Sequence, residues 1–459
     1  GPDLLRATVA ELLAAHLATS FGRIAEARAV LDEALASVHD DHARALLEAL
    51  QVAMHPHSAR DRPDAPAGPG SAADDDDAAQ LLTWLGTGHA DLTRGQFEAV
   101  ESMSQPMFVR AKRLSADRPE ATLWVTVLRW YALVHRGKFR DAEALALDAL
   151  NMAGDHPYGR TRAWFIDMLG TLAMVRGDAT NAAGHLEEAV AVRRIDDRGS
   201  LAGSLLALTA ARALLGDGDG AEAAFVESST APTSVLAPFV SAPRADAARL
   251  AAQGHVSSAR LLIVEHARDC RKNGLALFEL WAWRDAARYG AAAEAVDGLE
   301  AMIDRVDPPL PAAFAAAARA QASRDADGLA RAAEDLVALG LILDAAEAFG
   351  MAARRADEQG KPRLAQRWAA DVEALRPQLR GVDTPALRTA PAAAVLSERE
   401  REIAILAASG RRDADIAAEL VVSVRTVHAH LRSVYTKLGI TSRGEIAAAL
   451  SHRESERPE

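Results

Sequence analysis

Residues 421–444 contain the side chains best suited to bind a polyanion. They include no acidic residue and four basic ones: Arg425, Arg432, Lys437 and Arg443. The whole chain carries a formal net charge of −12, whereas acidic and basic residues are equal in number in residues 396–459. Phosphates respond to the local surface and not to the total charge. This stretch could therefore bind nucleic acid although residues 1–395 are acidic.

A helix over this stretch would turn the cations outward. Ser423 is expected to cap the helix, and its apolar residues recur at intervals of three and four to form one buried stripe: Val427, Leu431, Val434 and Leu438. At about 100° per residue, Arg425, Ala429 and Arg432 fall on the opposite side, with His428 on one flank. Such a narrow cationic face fits the DNA major groove, where arginine binds guanine and small side chains contact thymine methyl groups.

Three further short helices are predicted around this one. Ser397 and Glu400 form a capping box that opens the first helix, and Ser442 and Glu445 form another that opens the last. Asp413 is placed to cap the helix that precedes the cationic one. The result is a four-helix unit.

Residues 395–452 resemble the LuxR-type helix-turn-helix domain over its whole length. The matched residues are Leu396, Ser397, Arg399, Glu400, Gly410, Ile416, Ala417, Leu420, Ser423, Thr426, Val427, His430, Lys437, Leu438, Gly439 and Arg443. The resemblance implies a transcription regulator that binds double-stranded DNA, with base contacts from His428, Ala429 and Arg432. Arg425 joins them from the same face. The resemblance also implies phosphate contacts, from Thr426, Lys437 and Arg443.

Two features of this domain leave alternatives open. The family usually has lysine at the position of His428, so DNA binding is expected to be weaker or more dependent on pH here. His430 lies nearer the buried stripe, which favours a structural role over base reading. In the family the last helix forms the dimer contact, so a homodimer on DNA is predicted; Ile446, Ala447 and Leu450 could equally complete the domain's own core.

The remainder of the chain shows a repeat of 35 to 42 residues. Its mark is a glycine followed five residues later by alanine, in the pairs Gly22/Ala27, Gly137/Ala142, Gly177/Ala182, Gly216/Ala221, Gly254/Ala259, Gly290/Ala295 and Gly360/Ala365. Asp325/Ala330 and Gly95/Val100 fit the same phase with substitutions. Glycine permits the left-handed conformation that ends a helix, and alanine allows close helix packing. This pattern predicts an all-α protein: a solenoid of helical hairpins resembling tetratricopeptide repeats, ahead of the four-helix domain.

Composition divides the chain further. Residues 1–54 are predicted to begin the repeats, 55–77 to form a disordered acidic loop, and 78–375 to continue the repeats. Residues 376–394 contain Pro377, Gly381, Pro385 and Pro391, a spacing that predicts a linker in which no helix survives.

The aromatic residues of the repeats form the candidate effector site. They are Trp124, Trp130, Trp164, Phe165, Phe278, Trp281 and Trp283. On the concave face of a solenoid they could bind a small-molecule effector or a protein partner. Packing between helices is the favoured alternative for each residue.

Other classes of function find little support. No nucleotide-binding loop of the GxxxxGK[ST] type, catalytic group or metal motif is recognisable, so neither an enzyme nor a cofactor is expected in this stretch. Because no apolar run is long enough for a membrane span, a cytoplasmic protein is predicted, with RNA polymerase as a further candidate partner.

The chain begins with Gly1-Pro2, which is typical of a protease-cleaved remnant. Helical repeats followed by a LuxR-type domain resemble the large ATP-binding LuxR regulators of the maltose-activator kind. That resemblance implies an upstream NTPase. The rival hypothesis is a helical scaffold whose terminal domain binds protein.

Overall fold

The computed structural model describes most of the chain. The described residues are 3, 6–7, 9–10, 13–14, 24–41, 43–44, 47–48, 77–115, 121–153, 159–232, 239–382, 384–388, 396, 398–420, 422–438, 440, 442–447 and 449–450. Their regular secondary structure is helical throughout, and none of the described helices is both long and apolar enough to cross a membrane.

Sixteen helices form eight antiparallel hairpins from Asp77 to Leu375, preceded by α1 (Ile24–Ser37). In chain order they are α2 (Asp77–Arg94), α3 (Phe97–Arg113), α4 (Ala121–His135), α5 (Phe139–Met152), α6 (Gly159–Arg176), α7 (Ala179–Asp196), α8 (Leu201–Leu214), α9 (Gly218–Thr230), α10 (Ala242–Ala252), α11 (Val256–Lys272), α12 (Ala276–Arg288), α13 (Ala292–Glu300), α14 (Leu310–Ala322), α15 (Ala326–Leu339), α16 (Ile342–Glu358) and α17 (Pro362–Leu375). The predicted all-α hairpin solenoid is confirmed.

The predicted glycines from Gly95 onward lie in turns within the hairpins, whereas Gly22 lies outside the described residues. Gly95, Gly137, Gly177, Gly216, Gly254, Gly290 and Gly360 all have φ between 67° and 93°, the left-handed region that glycine adopts without strain. The residues five positions later, Val100 after Gly95 and alanine after each of the others, are all buried. The regular spacing of glycines in the sequence therefore reflects the left-handed backbone conformation that these turns require.

The substituted repeat at Asp325 was placed one residue too late. The residue with positive φ is Arg324, at 57°, and Asp325 precedes the first residue of α15. Leu329, not Ala330, consequently occupies the position of the buried alanine. A non-glycine residue in the left-handed region gives no composition signal, which explains the error.

The early hairpins also contact the late ones. The Gly95 carbonyl accepts a hydrogen bond from the Asp307 amide at 3.1 Å, and the Trp281 indole donates to His135 Nε2 at 2.8 Å. A Cβ atom on Gly177 would lie 2.7 Å from Leu379 and 2.8 Å from Leu343. The solenoid thus turns back on itself, and side chains fill the space that would otherwise be an open concave face.

The N-terminal region has a core of its own. Alanines on either side of α1 pack with Leu31, Val38 and Leu47, separately from the main core. The predicted disordered loop at 55–77 lies outside the described residues except for Asp77, which begins α2.

The first part of the linker is packed rather than free. A 3₁₀ turn at Arg376–Gln378 and a short helix α18 (Pro385–Arg388) follow the last hairpin, while Leu379 and Leu387 are buried in the core of the repeats. The prediction that no helix survives here was wrong, because proline is tolerated at the first position of a helix and Leu387 gives this one an apolar anchor. Residues 389–395 are outside the described part.

The C-terminal domain consists of α19 (Glu398–Ala408), α20 (Asp413–Glu419), α21 (Val424–Leu438), a 3₁₀ turn at Arg443–Glu445 and helical residues after it. Gly410, with φ 84°, ends α19.

Candidate nucleic-acid interface

The buried face of α21 anchors it in the domain. Val427, Leu431 and Val434 pack with Ile403, Ala404, Ala407, Ile416, Ala417 and Ile446 in a separate core. Ser423 caps the helix as predicted, since its hydroxyl accepts the Thr426 amide at 3.0 Å. Three helices therefore fix the rotation of α21 and decide which residues face outward.

The four predicted base-contact residues lie on the outward face of α21. Arg425, His428, Ala429 and Arg432 are all exposed. The helix approaches α17 of the repeats, with Cα atoms within 8 Å, and this approach leaves the four residues accessible. Their placement matches the geometry that a groove-reading helix requires.

One carboxylate links this face to the rest of the domain. Asp413 is the first residue of α20, and Arg412 occupies the N-cap position, so the predicted cap was placed one residue too late. Its Oδ2 lies 2.9 Å from His428 Nε2, and its Oδ1 accepts from Arg443 Nη1 at 2.5 Å. Asp413 therefore holds a predicted base reader and a predicted phosphate ligand in one cluster.

The predicted phosphate ligands stand in different situations. Arg443 also donates to the Arg411 carbonyl, so its guanidinium is already oriented by the protein. The Thr426 hydroxyl is 2.7 Å from the Ser423 hydroxyl. Lys437 lies within α21, but its side chain is outside the described part of the structure. The phosphate contacts stay predictions.

His430 and the last helix bear on the alternatives left open by the sequence. His430 is half-buried, as expected for its position beside the stripe. Ile446 is fully buried and Leu450 packs against the same core, whereas Ala447 is exposed. Two of the three residues complete the domain's own core, and Ala447 lies on the surface of the domain.

Sequence reasoning missed two contacts that brace the domain. Buried Glu400 accepts from the Ser433 hydroxyl at 2.6 Å and joins α19 to α21. Arg399 donates to the Leu420 carbonyl at 2.6 Å at the end of α20. Both residues belong to the matched motif, so their position in the family pattern was the signal; the capping interpretation of Glu400 concealed the interhelical role.

The aromatic residues of the repeats serve mainly as core. Trp130, Phe165, Phe278, Trp281 and Trp283 are buried, and half-buried Trp124 packs edge-on against Trp164 at 5.7 Å. Phe239 joins Trp130 to Trp281, while Trp283 packs over Gly298 elsewhere. The structure therefore supports packing for these residues and does not gather all seven into one surface.

Comparisons with known proteins agree with this geometry at the C-terminus. Residues 394–454 match the family model of bacterial regulatory proteins, luxR family. The chain is 45% identical over 67 residues to the probable transcriptional regulatory protein NarL of Mycobacterium tuberculosis, which covers 14% of this chain and 31% of that protein. It is 48% identical over 52 residues to the oxygen regulatory protein NreC of Staphylococcus aureus, 11% of this chain and 24% of that one.

The chain spans less than a third of the length of these curated relatives. Among solved structures, a Rap protein complexed with competence and sporulation factor aligns with 82% of this chain and 99% of its own, at 13% identity and a TM-score of 0.40. The C-terminal unit is a LuxR-family DNA-binding domain of the kind found in transcription regulators.

Proposed function

We propose that this protein is a sequence-specific transcription regulator in which the helical repeats sense an effector or partner and control the LuxR-type domain. One observation carries the proposal: Arg425, His428, Ala429 and Arg432 are exposed along one side of α21 while its opposite side is locked in the domain core. A helix held in this way can enter a major groove and present base-reading side chains.

The acidic repeats affect how the protein as a whole interacts with DNA. Residues 1–395 carry the net negative charge of the chain, so DNA is repelled by the repeats and attracted only by the C-terminal surface. The protein would act in the cytoplasm, as a homodimer on paired half-sites, with RNA polymerase as a further partner. Ala447 offers the surface position for the dimer contact.

The wider context proposed is that of a large ATP-binding LuxR regulator. Its support is the combination of helical hairpins with this type of C-terminal domain. Reading the coding sequence upstream of residue 3 tests the idea: a phosphate-binding loop of the GxxxxGK[ST] type is expected, and an upstream sequence without one would refute it.

Capture of genomic fragments tests the DNA-binding proposal. The full chain, incubated with sheared DNA of its source organism, should enrich a small set of sequences that share a motif. Arg432→Ala should weaken binding to that motif at least about fivefold, because an arginine–guanine contact is worth about 1–3 kcal/mol.

The matched control is Arg331→Ala, which removes an exposed charge from the repeats and should bind as the parent does. Failure to enrich any shared motif, or equal binding by the Arg432 and Arg331 variants, would refute the proposal in favour of a protein-binding scaffold.

A further inference from the structure

Residues 379–382 and 384–388, here called the strap, contact both the third and the last hairpin of the folded-back solenoid. The Arg380 carbonyl accepts from the Thr180 amide at 3.0 Å, and the Arg380 guanidinium pairs with Asp178 at 2.7 Å. Farther along, the Ala386 carbonyl accepts from Arg354 at 2.8 Å. The chain that leads to the DNA-binding domain is thus fastened to an early and a late hairpin.

A cavity of about 240 Å³ lies beneath the strap. Its apolar walls come from α6, α8 and α10 and include Val175, Leu214 and Ala251, and Trp281 of α12 lines it as well. Thr384 and Ala386 of the strap complete the lining. At roughly 30 Å³ per water, this volume corresponds to about eight waters, or an organic molecule of about ten non-hydrogen atoms.

The polar side of the cavity contains ion pairs whose carboxylate oxygens are all engaged. Arg244 and Arg284 donate to the two oxygens of Asp285 at 2.9 and 2.7 Å, and Arg288 donates to both oxygens of Glu347. Burial alone would raise the pKa of Asp285, but the neighbouring arginines outweigh it and lower that pKa to about 2. Arg288 likewise holds the pKa of Glu347 below its ordinary value against the effect of burial.

Some hydrogen-bond donors that line the cavity, in contrast, are not used by these ion pairs. Within the described residues, Arg288 Nη1 and Arg244 Nη2 have no hydrogen-bond acceptor. No hydrogen bond of ordinary geometry reaches the buried Thr384 hydroxyl, although it lies near the Glu347 carboxylate and helps to lower the pKa of Glu347. Because a buried hydroxyl without a well-placed partner costs about 1–3 kcal/mol, a ligand group that accepts from it would recover part of that loss.

We propose that the cavity is a binding site for a small amphipathic carboxylate with an aliphatic or aromatic body. Its carboxylate accepts from the spare N–H groups of Arg288 and Arg244 and from the Thr384 hydroxyl, because guanidinium groups favour planar anionic acceptors. Its body fills the space between the apolar walls. A cationic ligand would find the carboxylates already occupied.

The strap gives this site a route to the DNA-binding domain. Because Thr384 belongs to the strap, a ligand that binds the hydroxyl stabilises the strap against the repeats and keeps the chain that leads to the DNA-binding domain fastened to them. This regulatory step rests on the proposed function, whereas the binding site itself does not.

Three probes with the same body test the chemistry: phenylacetate, phenylacetamide and phenethylamine, titrated into the full chain by calorimetry. Phenylacetate should bind at least tenfold more tightly than the amide, because hydrogen bonds to a charged acceptor are the stronger ones. The amine should not bind. Absence of phenylacetate binding, or an amine that binds equally well, would overturn the proposal.

Variants locate the site without breaking an ion pair. Ala213→Leu fills the cavity from α8 and should weaken phenylacetate binding at least tenfold. Thr384→Val removes the buried hydroxyl and should weaken it severalfold without loss of stability. The matched control is Ala293→Leu on the exposed side of α13, which should bind as the parent does; equal binding by the Ala213 and Ala293 variants would overturn the location.

Measurements of hydrogen exchange and of duplex binding then separate ligand binding in the cavity from its proposed effect on DNA binding. Phenylacetate should slow exchange in residues 379–388 and change the affinity for the enriched duplex at least threefold. Slower exchange with unchanged duplex affinity would overturn the regulatory step alone. Since duplex binding is first measured without the probe, failure of the proposed function is seen independently.

Discussion

Asp413 holds two side chains that the sequence assigns to DNA. Its carboxylate contacts His428 and Arg443 on opposite oxygens, and DNA phosphates would compete with it for both. The sequence alone identified His428 and Arg443 through the family pattern. It assigned Asp413 only a capping role and missed these contacts, because residues 15 and 30 positions apart meet only once α20, α21 and the following turn are packed.

The residue at position 428 predicts a change in DNA affinity on substitution. Lysine carries a permanent charge in the neutral range, so His428→Lys should tighten duplex binding about three- to tenfold, measured by fluorescence anisotropy. His255→Lys, at an exposed histidine of the repeats, is the control; equal binding by the two variants would contradict a role for His428 at the interface.

A second histidine links pH to folding. His135 Nδ1 lies 2.7 Å from the Tyr131 carbonyl and Nε2 accepts from Trp281, so the ring fits its site only as the neutral form. Burial lowers the pKa of His135 to about 4. Between about pH 6.5 and 4, therefore, this histidine binds a proton in the unfolded chain but not in the folded chain. The free energy of unfolding consequently decreases by up to about 3 kcal/mol as the pH falls through this range.

His135→Gln keeps an acceptor for Trp281 but cannot take up this proton. The free energy of unfolding of the variant, from urea titrations between pH 7 and 5, should fall less steeply with decreasing pH than that of the parent. Exposed His255→Gln should leave the slope unchanged. Identical slopes in parent and His135 variant would show that this histidine is not the linked group.

At the scale of the helices, the turn glycines perform two tasks that the sequence cannot tell apart. Gly177 and Gly254 both have positive φ, but a Cβ atom on Gly177 would collide with Leu343 and Leu379, whereas nothing lies within 4 Å of one on Gly254. Gly254→Ala should cost about 1–2 kcal/mol for backbone strain alone. Gly177→Ala should cost about 1–3 kcal/mol more.

Chemical denaturation of the two variants measures the difference. Equal losses of stability would mean that the early and late hairpins are not in contact at Gly177.

The sequence predicted those helices and turns whose signals come from residues close together in the chain. Turn glycines, caps and apolar periodicity gave the hairpins and the four-helix domain because each depends on neighbouring residues. The contact between His135 and Trp281, 146 positions apart, leaves no local signal. The sequence therefore favoured packing for each aromatic residue but could not exclude an open concave face, which the structure shows to be filled by side chains. The strap was predicted as free linker for the same reason: the proline spacing is local, and the buried Leu379 and Leu387 contacts are not.

For the whole molecule, the helical repeats and the C-terminal domain differ in net charge. The acidic repeats and the exposed face of α21 make opposite contributions to DNA binding, and the strap leaves only residues 389–395 between the last described repeat contact and Leu396. The contact between α21 and α17 places the DNA-binding helix near an acidic body, and under the proposed regulation a change in the strap would alter that distance.

The salt dependence of duplex binding tests the central claim most directly. For the full chain on its enriched duplex, the logarithm of the association constant should fall linearly with the logarithm of salt concentration. If each of two bound domains neutralises two to four phosphates, the slope should be roughly −4 to −7. Arg432→Ala should lower the affinity at every salt concentration, and Arg331→Ala should not. A slope near zero, or an affinity unaffected by the loss of Arg432, would contradict groove reading by α21.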